Sequence, residues 1–282
     1  MRSIATLAEA HLAWLELRRS PQTAGIHRCA YKHLARFLAA RAERHLEQIT
    51  PPVADAFARY LRDRGLSPAS VFHYVKSLRA LATWAEAEGY TRRSRLGRYT
   101  LPSAKETPAT GFTHGQLEAP IQGCGEGYRG RRNLAILLVL YDTAIRASEL
   151  VDLRLADLDL QAQTLLIRRA KGNKTRTVSF SKATAGVLRK YVLKHHPAPE
   201  DEALPLFCGR GTKPLTRDGL RGIVHDLAVA AGITGKRLSP HSIRHAALTQ
   251  SLVNGSNLRF AQLLAGHTSI RTTQRYLDLF SE

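Results

Sequence analysis

The chain has 282 residues, and its 42 lysines and arginines against 23 aspartates and glutamates give a formal net charge of +19. A hydrophobic content of 44% allows a buried core and excludes a disordered chain, and the longest apolar run, at 135–141, is too short to cross a membrane. The N-terminus also lacks the pattern of a signal peptide, so we expect a soluble, cytoplasmic protein. Three cysteines without a CxxC pair argue against a disulfide framework and against a cysteine zinc site.

The positive charge is spread along the chain. Residues 1–100 carry a net charge of +9, and residues 101–282 carry +10. This distribution is explained if two basic domains bind the phosphates of one nucleic-acid duplex. It is not explained by a basic tail on a neutral enzyme. A ribosome-associated or merely basic protein is the alternative that composition alone leaves open.

The first 90 residues predict helices only, because apolar positions recur at helical spacing in successive stretches. Ser20 and Ser67, each followed by proline, are typical of helix starts. Gly65 and Gly89 stand where a left-handed residue is expected to end a helix. Together these signals predict a small four-helix bundle over residues 1–90.

Residues 91–111 lose the helical periodicity and are rich in arginine and proline, which predicts a basic linker between two domains. A solvated connector with incidental charge is the alternative. Because the arginines cluster where two basic domains would face the same duplex, we favour phosphate contact. The residues concerned are Arg92, Arg93, Arg95 and Arg98.

Residues 112–282 predict a second domain, mainly helical with one β-hairpin. A capping box at Thr113 and Gln116 opens it, and a hydrophobic helix follows over about 133–150. Strands at 164–168 and 175–180 then surround a lysine-containing turn. The remaining helices are expected at 183–194, at 217–231, after Ser239-Pro240, around 258–264 and in the residues that lead to Tyr276. The fold class is therefore mainly α with a small β-hairpin, an α+β chain.

Two pairs of side chains in this domain are suited to anion binding. Arg146 and Glu149 share one helical face, so the carboxylate could direct the guanidinium, although, taken alone, an ordinary surface ion pair is the better explanation. His241 and Arg244 lie in the first turn of a helix, where free backbone N–H groups also favour an anion. His245 lies four residues after His241, but the residues around them do not support a metal site.

A hairpin lysine, Lys171, and a C-terminal tyrosine, Tyr276, complete the set of groups that phosphoryl transfer without a metal requires. Arginines neutralise the nonbridging oxygens, the tyrosine attacks, and the lysine protonates the leaving oxygen. His267 precedes Tyr276 by nine residues. A lone tyrosine near a C-terminus is usually a packing residue, so this interpretation depends on the whole set.

In this order, R…K…H-x-x-R…G-H…Y, the chain resembles the tyrosine recombinase (phage integrase) family, in particular Xer-like site-specific recombinases. The resemblance implies an N-terminal SAM-like, core-binding domain at 1–90, a linker at 91–111 and a catalytic domain at 112–282. It also implies the catalytic residues Arg146, Lys171, His241, Arg244, His267 and Tyr276, with Glu149 in support. The DNA contacts expected beside them are Arg92, Arg93, Arg95, Arg98, Lys174 and Arg176.

The activity that this resemblance implies is cleavage and rejoining of DNA strands through a 3′-phosphotyrosine intermediate, without ATP, metal or another cofactor. Strands would be exchanged between two duplexes through a Holliday junction. The implied partner is double-stranded DNA bound by a homotetramer, with or without a second recombinase or a DNA-bending protein, and no membrane is involved.

The chain departs from the family pattern at three points. Ala144 stands where the family usually has glycine, and Ala265 where it usually has a larger apolar residue. Six residues follow Tyr276, whereas many relatives use a longer tail to dock on the neighbouring protomer. Two alternatives are also open: a type IB topoisomerase-like enzyme, and a basic DNA-binding protein whose catalytic-looking residues are inert.

Overall fold

The structure is a computed structural model that describes residues 2–103, 112, 114–168, 175–233 and 239–255. The chain divides into two compact units, Met1–Pro108 and Ala109–Glu282. Each unit has its own buried apolar core. Helices dominate both units, as the sequence predicted. Within the described ranges, no helix is long and apolar enough to cross a membrane.

Helices enclose the core of the first unit, in which Phe57, Leu61 and Leu81 are fully buried. A short 3-10 turn at Leu46–Gln48 lies between the second and third helix. The bundle predicted for this part of the chain is confirmed. Its helices are α1 (Ile4–Arg18), α2 (Pro21–Ala39), α3 (Pro51–Asp63) and α4 (Pro68–Ala87).

The helix ends of this unit follow from local signals. The Ser67 side chain accepts a hydrogen bond from the Ser70 backbone N–H at 3.3 Å, and Ser20 caps α2 in the same way. Gly65 and Gly89 have φ values of 75° and 74°, a conformation that costs glycine little because it has no Cβ. The sequence therefore specifies where these helices begin and end.

The arginine-rich segment after α4 packs against the first unit. Leu96 and Tyr99 are buried in its core, and the Tyr99 hydroxyl donates to Asp55 at 2.6 Å. Thr91 likewise donates to Glu47 at 2.6 Å. Arg92, Arg93, Arg95 and Arg98 are all exposed between these anchors. The sequence assigned this stretch to a linker, but its described part is attached to the bundle by apolar and hydrogen-bonded contacts.

The second unit contains a three-stranded antiparallel sheet in the order β1-β2-β3. Strands β2 (Thr164–Ile167) and β3 (Arg176–Ser179) form the predicted hairpin, with Ile167 opposite Arg176. The short strand β1 (Leu158–Asp159) had no sequence signal. The described helices are α5 (His114–Gln122), α6 (Tyr128–Thr143), α7 (Ala147–Val151), α8 (Lys182–His195), α9 (Arg217–Ala230) and α10 (Pro240–Val253).

The hydrophobic helix predicted over 133–150 is wrong in one respect, because the chain breaks it into α6 and α7. Ala144 ends α6 in the left-handed conformation, with φ 47° and ψ 28°. Ala144, Ile145 and Leu150 are all fully buried, so the apolar pattern runs through the break without revealing it. Four of the features that the sequence predicted lie outside the described residues. They are the cap residue Thr113, the hairpin tip at 169–174, the helix near 258–264 and the helix before Tyr276.

A buried histidine, His11, lies at the centre of a ring cluster in the first unit. Its Nδ1 atom is 2.6 Å from the Tyr31 hydroxyl, and its ring stacks on Trp84 at a centroid distance of 4.9 Å. Burial, and secondly the charge of His27, lower the pKa of His11 to about 4. The folded unit therefore holds this ring neutral at pH values where an unfolded histidine becomes protonated.

We predict that His11 alone lowers the unfolding free energy of the first unit by about 2 kcal/mol between pH 7.5 and pH 5. His27 and His33 add to this loss, because burial also lowers their pKa values. The unfolded chain takes up a proton at His11 below pH ~6.5, whereas the folded chain does so only near pH 4. The His11 contribution is thus complete above the unfolded pKa and is lost as the pH falls towards the folded one.

Urea unfolding followed by tryptophan fluorescence measures this change, because both tryptophans of the chain, Trp14 and Trp84, lie beside His11. His11→Phe preserves a ring at this position and should remove the His11 part of the decline, about 2 kcal/mol, while the contributions of His27 and His33 remain. An equal decline in the wild type and in His11→Phe would show that His11 is not its source.

Candidate active site

The break at Ala144 sets the position of Arg146, which forms the N-cap of α7. The Glu149 side chain reaches back to this cap and accepts a hydrogen bond from the Arg146 backbone N–H at 2.9 Å. It also accepts one from Arg146 Nη1 at 2.8 Å. The two residues are therefore paired as the sequence predicted, but at the start of a helix rather than along one helical face.

Glu149 also binds a second arginine. Arg176, on β3, donates from Nη1 to Glu149 Oε1 at 2.9 Å and from Nη2 to Oε2 at 2.8 Å. This two-point geometry is the strong form of the arginine–carboxylate contact. Only 3% of the Glu149 side-chain surface is exposed. One buried carboxylate thus joins the Arg146 loop to the hairpin.

The charge state of Glu149 follows from opposing effects. Burial raises the pKa of this carboxyl, but hydrogen bonds from Arg176 and from the Arg146 backbone outweigh burial and lower the pKa to about 2. Glu149 is therefore ionised at neutral pH. With Arg146 and Arg176 on its oxygens, the cluster of three side chains carries a net charge of +1.

Arg244 approaches the same loop from α10. Ser239 and Ser242 form a capping box at the start of this helix, which confirms the helix start predicted there. Arg244 is 4% exposed, and its Nη1 atom donates to the Ala144 carbonyl oxygen. Ala144 also packs against Ala247 and Leu248 of α10. The Arg244 side chain is thereby hydrogen-bonded to the backbone two residues before Arg146.

His241 lies exposed in the first turn of α10, and its ring meets the half-buried ring of His245 edge to face at 6.4 Å. Partial desolvation and then the charge of Arg244 lower the pKa of His241. Desolvation and then His241 lower the pKa of His245. Both rings therefore favour the neutral form at pH 7, in which each offers one donor and one acceptor nitrogen. No group of three potential metal ligands occurs among the described residues.

Two family profiles match almost the entire chain. The profile described as "Phage integrase family" matches residues 112–282, and the one described as "Phage integrase SAM-like domain" matches residues 3–101.

The chain belongs to the phage integrase family.

It is a site-specific tyrosine recombinase, an enzyme that breaks and rejoins DNA strands. The chain is 29% identical to the tyrosine recombinase XerD of Staphylococcus saprophyticus, over 96% of this chain and 93% of the relative. It is 33% identical to the tyrosine recombinase XerC of Pseudomonas aeruginosa, over 79% of this chain and 73% of the relative. These relatives favour recombination over the topoisomerase and inert-protein alternatives.

Solved structures share the fold of this recombinase. A λ integrase dimer bound to a COC′ core site matches with a TM-score of 0.79, at 16% identity, over 97% of this chain and 95% of that chain. XerH recombinase bound to a difH substrate matches with a TM-score of 0.72, at 21% identity, over 90% of this chain and 76% of that chain. At such identities the likeness establishes the arrangement of helices and strands.

The structure brings together some of the site residues that the sequence predicted for this recombinase. Arg146, Glu149 and Arg244 converge on the 144–146 loop, and His241 lies one turn before Arg244 on α10. The sequence placed Arg176 among the DNA contacts, whereas its guanidinium is bound to Glu149. The other predicted site residues of this unit, Lys171, Lys174, His267 and Tyr276, lie outside the described residues.

One ion pair near the hairpin was missed by sequence reasoning. Asp157 is buried and accepts hydrogen bonds from Arg168 Nε and, at 2.9 Å, from the Arg154 backbone N–H. Together with Glu149, these residues line a cavity of about 300 Å³ beside β2. Asp157 lies 11 residues before Arg168, a separation at which no local pattern predicts contact.

Proposed function

We propose that this recombinase cleaves double-stranded DNA by attack of the Tyr276 hydroxyl on one backbone phosphate. The bond between tyrosine oxygen and phosphorus forms, the bond to the 5′-oxygen breaks, and a 3′-phosphotyrosine and a free 5′-hydroxyl result. Attack by the 5′-hydroxyl of a partner duplex reverses the step and exchanges strands. The observation that carries this proposal is the convergence of Arg146 and Arg244 on one loop.

Arg146 and Arg244 are assigned to the two nonbridging oxygens of the phosphate. Guanidinium groups present parallel donors that match a phosphate, and they stabilise the charge that develops in the pentacoordinate state. Capping and ion pairing orient Arg146, and the Ala144 carbonyl orients Arg244. This orientation before substrate binds lowers the cost of reorganisation during the reaction.

Lys171 is assigned as the general acid that protonates the leaving 5′-oxygen. His241 and His267 share hydrogen bonding to the phosphate and deprotonation of Tyr276, whose reference pKa of ~10 calls for such assistance at neutral pH. Because the tyrosine ester keeps the energy of the phosphodiester bond, rejoining needs neither ATP nor a metal. Exchange between two duplexes calls for four such sites.

The assembly we propose is a homotetramer on DNA in the cytoplasm, with or without a second recombinase or a DNA-bending protein. Relatives of this fold are described as bound to DNA, among them the λ integrase dimer on its core site and XerH on difH. The excess of positive charge in both halves of the chain supports the same partner.

The exposed arginines of the first unit are assigned to the DNA backbone. Buried Leu96 and Tyr99 attach this segment to the core of the unit, so the backbone that carries the arginines is held in place. The arginines are Arg92, Arg93, Arg95 and Arg98. Lys174 is assigned to the same role in the second unit. Such contacts position the enzyme on the duplex without selecting its sequence.

The nucleophile is tested by covalent trapping. Wild-type enzyme incubated in EDTA with a labelled random-sequence duplex library should give an SDS-resistant, protease-sensitive DNA adduct, whereas Tyr276→Phe should give none because it lacks the attacking oxygen. Tyr60→Phe, which removes a hydroxyl from the first unit, is the matched control and should retain the adduct. An adduct with Tyr276→Phe would refute the assignment of the nucleophile.

The role of Lys171 is tested with a duplex recovered from those adducts and synthesised with a 5′-bridging phosphorothiolate. Lys171→Ala should cleave the normal phosphodiester slowly and the phosphorothiolate at nearly the wild-type rate, since a thiolate leaves without a proton. Lys174→Ala, which alters a lysine three residues further along the chain, should show no such selective recovery. If sulfur fails to rescue Lys171→Ala, Lys171 is not the general acid.

The assignment of the exposed arginines predicts a change in salt dependence. Arg93→Gln or Arg98→Gln should weaken binding to any short duplex and reduce the slope of log K against log salt by about 0.9 for each phosphate that the variant no longer neutralises. Fluorescence anisotropy at several salt concentrations measures both quantities. Arg19→Gln, at an exposed position outside the cluster, should change the slope less. Equal slopes for all variants would argue against phosphate contact by this segment.

A further inference from the structure

The two arginines on Glu149 use its carboxylate differently. Arg176 engages both oxygens through Nη1 and Nη2, at 2.9 and 2.8 Å. Arg146 donates to Oε1 from Nη1, and its backbone N–H donates to Oε2. Arg176 is also the more enclosed of the two, with 17% of its side-chain surface exposed against 27% for Arg146. The stronger and more buried ion pair is therefore the one with Arg176.

The second arginine matters because a carboxylate that orients an arginine also weakens the attraction of that arginine for an anion. A pair of Arg146 and Glu149 alone would be electrically neutral, and a neutral pair attracts a phosphate far less than a free guanidinium does. With Arg176 included, two positive charges face one negative charge, and the cluster carries +1. Glu149 can therefore orient Arg146, while Arg176 offsets the negative charge of Glu149 and leaves the cluster positive.

We propose that Arg176 is a positioning residue for catalysis: it neutralises Glu149, so that Arg146 is held in place yet keeps its positive charge for the DNA phosphate. The inference rests on the proposed role of Arg146 in binding that phosphate. It also gives Arg176 a role other than the DNA contact expected from the sequence, since both terminal nitrogens of its guanidinium are already bound to Glu149.

The hairpin offers a matched control. Arg168 follows β2 as Arg176 begins β3, and each pairs with a buried carboxylate, Asp157 and Glu149 respectively. Arg168→Met and Arg176→Met therefore remove the same chemical group and one ion pair from the two sides of one hairpin. Only Arg176→Met changes the charge of the cluster that contains Arg146.

The test measures the rate of covalent adduct formation on a duplex recovered by trapping with wild-type enzyme. Arg176→Met should lower this rate about tenfold or more, and Arg168→Met should lower it clearly less. Arg176→Lys keeps the charge without the two-point geometry and should recover much of the rate. Thermal unfolding midpoints for each variant separate loss of rate from loss of folding.

The decisive variant is the double substitution Glu149→Gln with Arg176→Met. It removes one negative and one positive charge and so restores the net charge of +1 on Arg146, while glutamine still offers an oxygen to the Arg146 backbone. Charge compensation predicts that the double variant is about threefold or more faster than Arg176→Met alone. A purely structural role for Arg176 predicts that removing the second polar partner slows the reaction further.

The outcomes separate this inference from the role proposed for Arg146. If Arg146→Met forms adducts at the wild-type rate, the assignment of Arg146 to the phosphate fails, and the role of Arg176 fails with it. If Arg146→Met is folded but inactive, while the double variant is no faster than Arg176→Met, only the inference about Arg176 is overturned. Equal reductions in rate for Arg168→Met and Arg176→Met would overturn it too.

Discussion

The arrangement of the candidate active site depends on the contacts of one buried carboxylate, that of Glu149. An ionised carboxylate enclosed by protein is costly unless opposite charges and hydrogen bonds replace its water. Here two arginines and one backbone N–H supply that replacement. These donors come from the start of α7 and from β3, so the requirements of one buried charge fix the hairpin against the loop that carries Arg146.

The loop itself exists because α6 ends at Ala144. A left-handed alanine is disfavoured by roughly 1–2 kcal/mol, because its Cβ crowds the following carbonyl oxygen. The buried methyl group packs against Ala247 and Leu248, and the freed Ala144 carbonyl accepts a hydrogen bond from Arg244. These contacts offset the backbone cost. They also explain how an alanine is accommodated at a position with a left-handed backbone.

The sequence predicted those parts of the structure that local chemistry determines. Ser67 and Gly65 mark helix ends through their own side-chain or backbone preferences, and two runs of strand-favouring residues around a turn marked β2 and β3. The break at Ala144 was missed because alanine is a strong helix former and the burial pattern continues across it. The Glu149–Arg176 contact joins residues 27 apart in the chain, and only the folded hairpin brings them together. The family resemblance predicted a set of reacting groups, but not the contacts that hold Arg146 and Arg244.

The relation between direction and charge in this site follows from general electrostatics. A side chain that must both point accurately and act as a cation needs an acceptor to orient it, and the best acceptor for a guanidinium is a carboxylate. The same carboxylate reduces the field that a substrate anion experiences. A second cation resolves this conflict. Arg176, on β3, offsets the negative charge of Glu149, while Glu149 still orients Arg146, which precedes α7. The net positive charge that Arg146, Glu149 and Arg176 share therefore depends on a residue of the hairpin, because the compensating cation is on β3.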